Sequence, residues 1–309
     1  MNGREQKDRK TALVLGSGAA RGLAHIGVLK VLEKAGIKID LIVGTSMGAM
    51  IGGAYAAGLS AQKIEQVACE TNWLKVAQVL FPKRLQINGL LDGHRMQDFM
   101  AALFGDRQIE ELNIPFACVA TDIWTGEEIV LNTGSLVRAI RASLSFPFLF
   151  TPVEINGRYL VDGGVVNPLP VSVAREMGAE FVIAVNVTPP IHRETVKLNS
   201  GKLKKLKEKY KWGGSDPNKL VAKLKKLFTE HEPKPEMQQL KQGGKPGIRQ
   251  QMVQIATTME NMILALRLKE NPADILIRPA VEQIQFFDFI EPRPIIDAGS
   301  EAARRIWHV

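Results

Sequence analysis

The sequence Gly44-Thr45-Ser46-Met47-Gly48 sets a hydroxyl between two glycines where an apolar run, residues 39–43, gives way to small residues, 49–57. In a G-x-S-x-G elbow the chain turns sharply from strand into helix, the serine takes a strained backbone conformation at the apex, and the glycines let the two elements approach. The Ser46 hydroxyl would then stand above a sheet at a helix N-terminus, whose partial positive charge favours a forming alkoxide. The same residues also describe a plain strand-to-helix turn with a capping serine, so a chemical reading needs partners.

Two further motifs offer them. After the apolar run Ala12 to Leu15 comes Gly16-Ser17-Gly18-Ala19-Ala20-Arg21-Gly22. A dinucleotide-binding turn would have its third glycine where Arg21 stands and an acid at the end of the second strand, whereas Asp40 opens that strand. A phosphate-gripping loop would continue into Gly-Lys-Ser or Gly-Lys-Thr, and none follows. What remains is a close-packed turn, or a set of backbone N–H groups near Gly18 and Ala19 that face a developing oxyanion, where small side chains leave the approach open. The other motif is Asp162-Gly163-Gly164, after the strand pattern 159–161 and before Asn167-Pro168-Leu169-Pro170. It places a carboxylate on the rim where α/β enzymes gather their chemistry, or it is an ordinary Asp-Gly turn.

The elements that would position these residues follow from apolar spacing. Ala12 to Leu15 reads as a buried first strand; Val28, Leu29, Leu32 and Ala35 recur at helical spacing, with Gly36 where a C-terminal cap belongs, giving a helix over 24–35. Strand, loop, helix, strand, elbow, helix is the opening of a parallel α/β sheet. Further strands are predicted at 116–121, 129–131, 159–161, 181–187 and 274–277, and helices over 171–177, 252–269 and 295–307. Several strands are nearly all apolar, as a sheet covered on both faces requires.

A chain of 309 residues with 45% hydrophobic content is long enough to bury a substantial core. Its two cysteines, Cys69 and Cys118, lie in helix and strand patterns without paired spacing, which suggests buried thiols in a reducing compartment rather than a disulfide framework or a zinc site. No apolar stretch is long enough to cross a bilayer, and residues 1–10 are polar with no signal-like run after them, so a cytoplasmic location is expected. The net charge of +8 is uneven: 197–226 holds eleven lysines against Glu208 and Asp216, a local +9 that leaves the rest near −1.

Taken together and in this order, the glycine-rich loop at 16–22, the elbow at 44–48 and Asp162-Gly163-Gly164 resemble the patatin-like phospholipase family. The resemblance covers about residues 11–190; Ala24-His25-Ile26-Gly27-Val28-Leu29 is similar to the bacterial members, and 138–143 and 273–277 to further family segments. It implies a three-layer α/β/α sandwich with a mostly parallel central sheet: a polar tail at 1–10, then one catalytic domain over 11–309 interrupted by a lysine-rich insertion at 191–250. It implies a Ser46–Asp162 dyad, amides near Gly18 and Ala19 as the oxyanion hole, no metal or cofactor, and acyl esters of glycerolipids as substrates. Where many relatives run several glycines together, this loop carries Ser17 and Ala19, which keep the amide donors. Arg21 would fix the loop or meet a phosphate.

Competing readings bear on the base, the aromatics, the insertion and the activity itself. A Ser-His-Asp triad would draw its base from His25, His94, His192, His231 or His308, none of which has a motif around it. Ser145-Phe146-Pro147-Phe148-Leu149-Phe150 would line an acyl channel or pack in the core. In the insertion, Leu203, Leu206 and Tyr210, then Leu220, Val221, Leu224, Leu227 and Phe228, fall at helical spacing among lysines. Such helices lie on an anionic membrane surface at the inner face of the cell membrane, or pack their leucines on the body. Lysine-only charge with few aromatics argues against specific nucleic-acid readout. A catalytically quiet, membrane-associated adaptor that keeps the fold is the alternative to a hydrolase.

Overall fold

The computed structural model describes residues 9–71, 94–147, 149–189, 248–286 and 288–309. The chain divides into two compact units, one of residues 1–191 and 255–309, the other of 192–254. Of the second unit only the helical residues 248–254 are among those described. The lysine-rich helices expected within 197–228 lie outside the described residues.

The first unit is built on strands β1 (Thr11–Leu15), β2 (Leu41–Thr45), β3 (Phe116–Asp122), β4 (Glu128–Leu131), β5 (Val153–Ile155), β6 (Arg158–Asp162), β7 (Phe181–Val185) and β8 (Ile275–Ile277). Their order is β5-β6-β3-β2-β1-β7-β8, with β4 paired to β3. The run from β3 through β2, β1 and β7 to β8 is parallel; β4, β5 and β6 pair antiparallel. Alternate strand residues point to opposite faces. Leu13, Leu15, Ile42, Phe116, Cys118, Ile183 and Val185 enter one core with helices α1 (Ala24–Lys34), α2 (Met47–Ala56), α3 (Ala61–Glu70), α4 (His94–Phe104), α5 (Leu136–Ser143) and α8 (Pro292–Trp307). Ala12, Val14, Leu41, Val43, Ala117, Val119, Val182 and Ala184 enter a second core with α6 (Val171–Glu176) and α7 (Ile248–Glu270). A mixed, mostly parallel sheet flanked by helices on both faces results, which is the fold class expected from the apolar strands.

Local signals acted as read. Gly36 takes a positive φ of 66° after α1, and Gly178 does the same at 86° after α6. An unforeseen element is the β5–β6 hairpin, whose turn Asn156-Gly157 has φ of 52° and 75°. Two consecutive positive φ values match the right-handed twist of paired strands, hence the Asn-Gly pair. Cys118 is fully buried on β3, whereas Cys69 on α3 is only partly covered, short of the buried site its helical context suggested.

Candidate active site

Strand register brings the motifs together. Leu15 of β1 pairs Gly44 of β2, so the loop after β1 and the elbow after β2 leave the sheet side by side. Thr45 pairs Val119 of β3, and the next β3 residue, Ala120, pairs Asp162 of β6. Ser46, one step beyond Thr45, is therefore level with Asp162. The Ser46 hydroxyl donates a 2.6 Å hydrogen bond to Asp162 Oδ2.

The elbow is strained and braced. Ser46 has φ 56° and ψ −120°, a positive-φ combination that an L-residue rarely adopts, immediately before α2. A Cβ on Gly44 would lie 2.6 Å from the Ala49 backbone, and one on Gly48 would collide with the carbonyls of Leu15 and Gly16. Both glycines are thus demanded by close backbone approach, the second against the glycine-rich loop itself. Ser143, at the end of α5, fixes the apex: its hydroxyl accepts from the Ser46 N–H at 2.8 Å and donates to the Val119 carbonyl at 2.7 Å.

Asp162 is buried. Its Oδ1 accepts from the Gly164 N–H at 2.8 Å while Oδ2 holds the serine, and its own N–H donates to the Ser145 carbonyl. Burial pushes its carboxyl up to about 6, against the opposite pull of the bonds from Ser46 and Gly164. A carboxylate taken out of water and aimed at a hydroxyl is a better base than a solvated one.

The glycine-rich loop is anchored along its length except at two amides. Gly16 N–H donates to Val185 O, Ser17 N–H to Pro168 O, Ala20 N–H to Phe286 O and Arg21 N–H to Gly18 O. The amides of Gly18 and Ala19 have no hydrogen-bond acceptor among the described residues. Ala19 has a positive φ of 47°, as in concave loops whose successive N–H groups converge on an anion. Arg21 donates through Nε to the Ile284 carbonyl at 2.8 Å, the loop-fixing role of the two considered for it.

His25 is fully buried at the start of α1, with Nε2 on the Gly16 carbonyl at 2.8 Å; burial pushes its imidazole down to about 4, so it is neutral and steadies the loop. Among the described residues no hydrogen bond joins it to Ser46. His308 caps α8 at the surface, and His192 and His231 lie outside the described residues. Within the aromatic stretch, Phe150 is buried under the Arg141 guanidinium and Phe146 packs on Phe286 at 4.9 Å; Phe148 lies outside the described residues. An apolar cavity of about 40 Å³ opens instead beside Met47, the residue after Ser46, lined also by Leu23, Met50, Ile51, Phe99 and Leu103.

Ser143 and a buried glutamate on α7, Glu260, are site neighbours that the sequence reading missed. Ser143 closes the family-like segment 138–143 but was given no role there, and Glu260 is one polar residue within a helical pattern.

The family described as Patatin-like phospholipase matches residues 13–175, about half of the chain. Patatin-like phospholipase domain-containing protein 6 of Homo sapiens is 41% identical over 182 residues, 57% of this chain and 13% of that protein. An uncharacterized NTE family protein of Mycobacterium tuberculosis is 38% identical over 184 residues, 58% of this chain and 49% of that protein. The chain thus spans half or less of the length of these curated relatives. The crystal structure of VipD from Legionella pneumophila is similar with a TM-score of 0.48 and 13% identity, over 85% of this chain and 67% of that one. With the loop, elbow and Asp-Gly-Gly motif in their expected order inside the matched region, the chain belongs to the patatin-like phospholipase family.

Proposed function

We propose that this chain is a serine lipid acyl hydrolase that cleaves carboxylic esters through Ser46 and Asp162. The 2.6 Å bond between the strained serine and a buried carboxylate carries the reading. Ser46 Oγ attacks the ester carbonyl carbon as Asp162 takes its proton. The carbonyl electrons move onto oxygen, and the Gly18 and Ala19 amides receive the resulting oxyanion. Collapse expels the alcohol, which takes the proton back from Asp162, and leaves an acyl-enzyme on Ser46. Water, deprotonated by Asp162, then releases the acid and restores the serine.

The small apolar cavity beside Met47 would take a few methylene groups of an acyl chain. The catalytic domain would run over 11–309, with 191–250 as an insertion whose lysines make peripheral contact with anionic lipid at the inner face of the cell membrane. Exposed apolar side chains on α7, Ile255, Met259, Met262 and Leu266, suit such contact, falling on one stripe at spacings of three and four. Among the described residues no helix is long and apolar enough to cross a membrane. The test is hydrolysis of a panel of phospholipids, lysophospholipids and neutral glycerides by wild type and Ser46→Ala. Release of fatty acid by wild type alone supports the reading; equal release, or none from any ester, favours the quiet adaptor.

A further inference from the structure

The hydrolytic scheme leaves unused a buried charge-bearing group beside the site. Glu260, on α7, is 7% exposed. It occupies space that only a glycine leaves free: a Cβ on Gly164 would sit 2.6 Å from Glu260 Oε1, 3.0 Å from Ser17 Oγ and 3.2 Å from Asp162 Oδ1. A carboxyl from α7, a hydroxyl from the oxyanion loop and the carboxyl that serves Ser46 thus surround one backbone position. The Ser17 hydroxyl bonds to Glu260. Ser17 is followed directly by Gly18 and Ala19, whose amides are without acceptors among the described residues.

An anion at this point opposes the reaction. The tetrahedral intermediate puts negative charge at the loop, and a charged Glu260 would repel it in a medium of low dielectric. A protonated Glu260 keeps its bond to Ser17 and adds no charge. We propose that Glu260 is a positioning residue that holds the oxyanion loop through Ser17, works in its neutral form, and by ionising sets the alkaline limit of activity. The inference rests on the hydrolase reading above.

The surrounding charges agree with the geometry. Facing Glu260 are Asp162, from the end of β6, and Arg21, from the loop after β1; on α7 itself Arg267 is engaged with Glu128. Burial, then the charge of Asp162, pushes the Glu260 carboxyl up to about 7, while Ser17 and Arg21 act in the opposite sense. Asp162 must be ionised to take a proton and Glu260 neutral to spare the oxyanion, so the pair gives a bell-shaped profile with apparent limbs near 6 and 7.

The experiment measures kcat/KM for a soluble p-nitrophenyl ester from about pH 5 to 9 in wild type, Glu260→Gln, Glu260→Asp and Ser17→Ala, beside thermal unfolding over the same range. Glu260→Gln should keep the acid limb and lose the alkaline one. Ser17→Ala, which removes a bond favouring the charged form, should move the alkaline limb upward, and Glu260→Asp should retain a limb with lower kcat. A Glu260→Gln profile of wild-type shape overturns the proposal. If wild type hydrolyses no ester, the hydrolase reading fails and takes the catalytic part of the proposal with it. The unfolding arm still reads the buried carboxyl by itself: Glu260→Gln should gain Tm relative to wild type as pH rises through about 7, and a constant difference contradicts a neutral Glu260.

Discussion

Ser46 and Asp162 reach the same point by opposite routes. The serine is placed by its own neighbourhood: β2 delivers it, α2 begins after it, and the two glycines around it admit contacts no side chain would allow. Its cost is conformational, a positive φ at a non-glycine residue, and Ser143 reaches across from α5 to hold it. The aspartate comes on an antiparallel strand from the other side of β3, with unstrained backbone, and its cost is electrostatic. One half of the site stores strain and the other stores desolvation. Each is tolerated because the sheet, fully buried through β1, β2 and β3, fixes both ends.

The sharpest way to separate the halves is to remove the Ser46 hydroxyl and the Asp162 carboxylate in turn. Ser46→Ala and Asp162→Asn should each lower ester hydrolysis on the order of 10³-fold or more, read as kcat/KM. Their stabilities should diverge. Asp162 has a folded pKa raised above its unfolded value, so its contribution is fully present below about 4 and lost as pH rises through about 6. Asp162→Asn should therefore gain on wild type across that interval, by roughly 3 kcal/mol at most above it, whereas the Ser46→Ala difference should not grow in that direction. Chemical denaturation at about pH 4 and pH 8 reads both.

Packing at the elbow comes next. Gly48→Ala drives a methyl into the carbonyls of Leu15 and Gly16, and a loss of about 3 kcal/mol or more, with collapse of activity, is expected from thermal unfolding and assay together. Ser143→Ala leaves the buried Ser46 N–H without its acceptor, costing about 1–3 kcal/mol and about 10-fold in kcat with little change in KM. The smallest effect is His25→Gln, which keeps a donor for the Gly16 carbonyl: a change of less than about 10-fold and an unmoved pH profile are expected, where a histidine base would show a far larger loss.

The same division decides what could be read in advance. Conformational demands are local, so glycine positions announced the elbow, the cap at Gly36 and the loop before α1. The apolar strands announced a sheet covered on both faces. The β5–β6 hairpin had its Asn156-Gly157 signal but only three residues in β5, too few for a period of two to stand out. Electrostatic demands are set by packing at a distance. Asp162 could be proposed only through the two glycines that follow it, and Glu260 had no flag, since in sequence it is one acid between Met259 and Asn261 on a long helix. Ser143 stood at the end of the family-like segment 138–143, yet its role was not legible, because a helix-terminal serine gives no sign of which strand lies beneath it.

The most direct test of the shared site is the pH dependence of labelling by a fluorophosphonate, which reports on the nucleophile without a lipid substrate. The probe should attach to Ser46 alone, with a rate that rises through about pH 6 as Asp162 ionises, and that falls on the order of 100-fold or more in Asp162→Asn. Labelling that is unchanged in Asp162→Asn, or that falls on another residue, would contradict the pairing of these two groups as nucleophile and base.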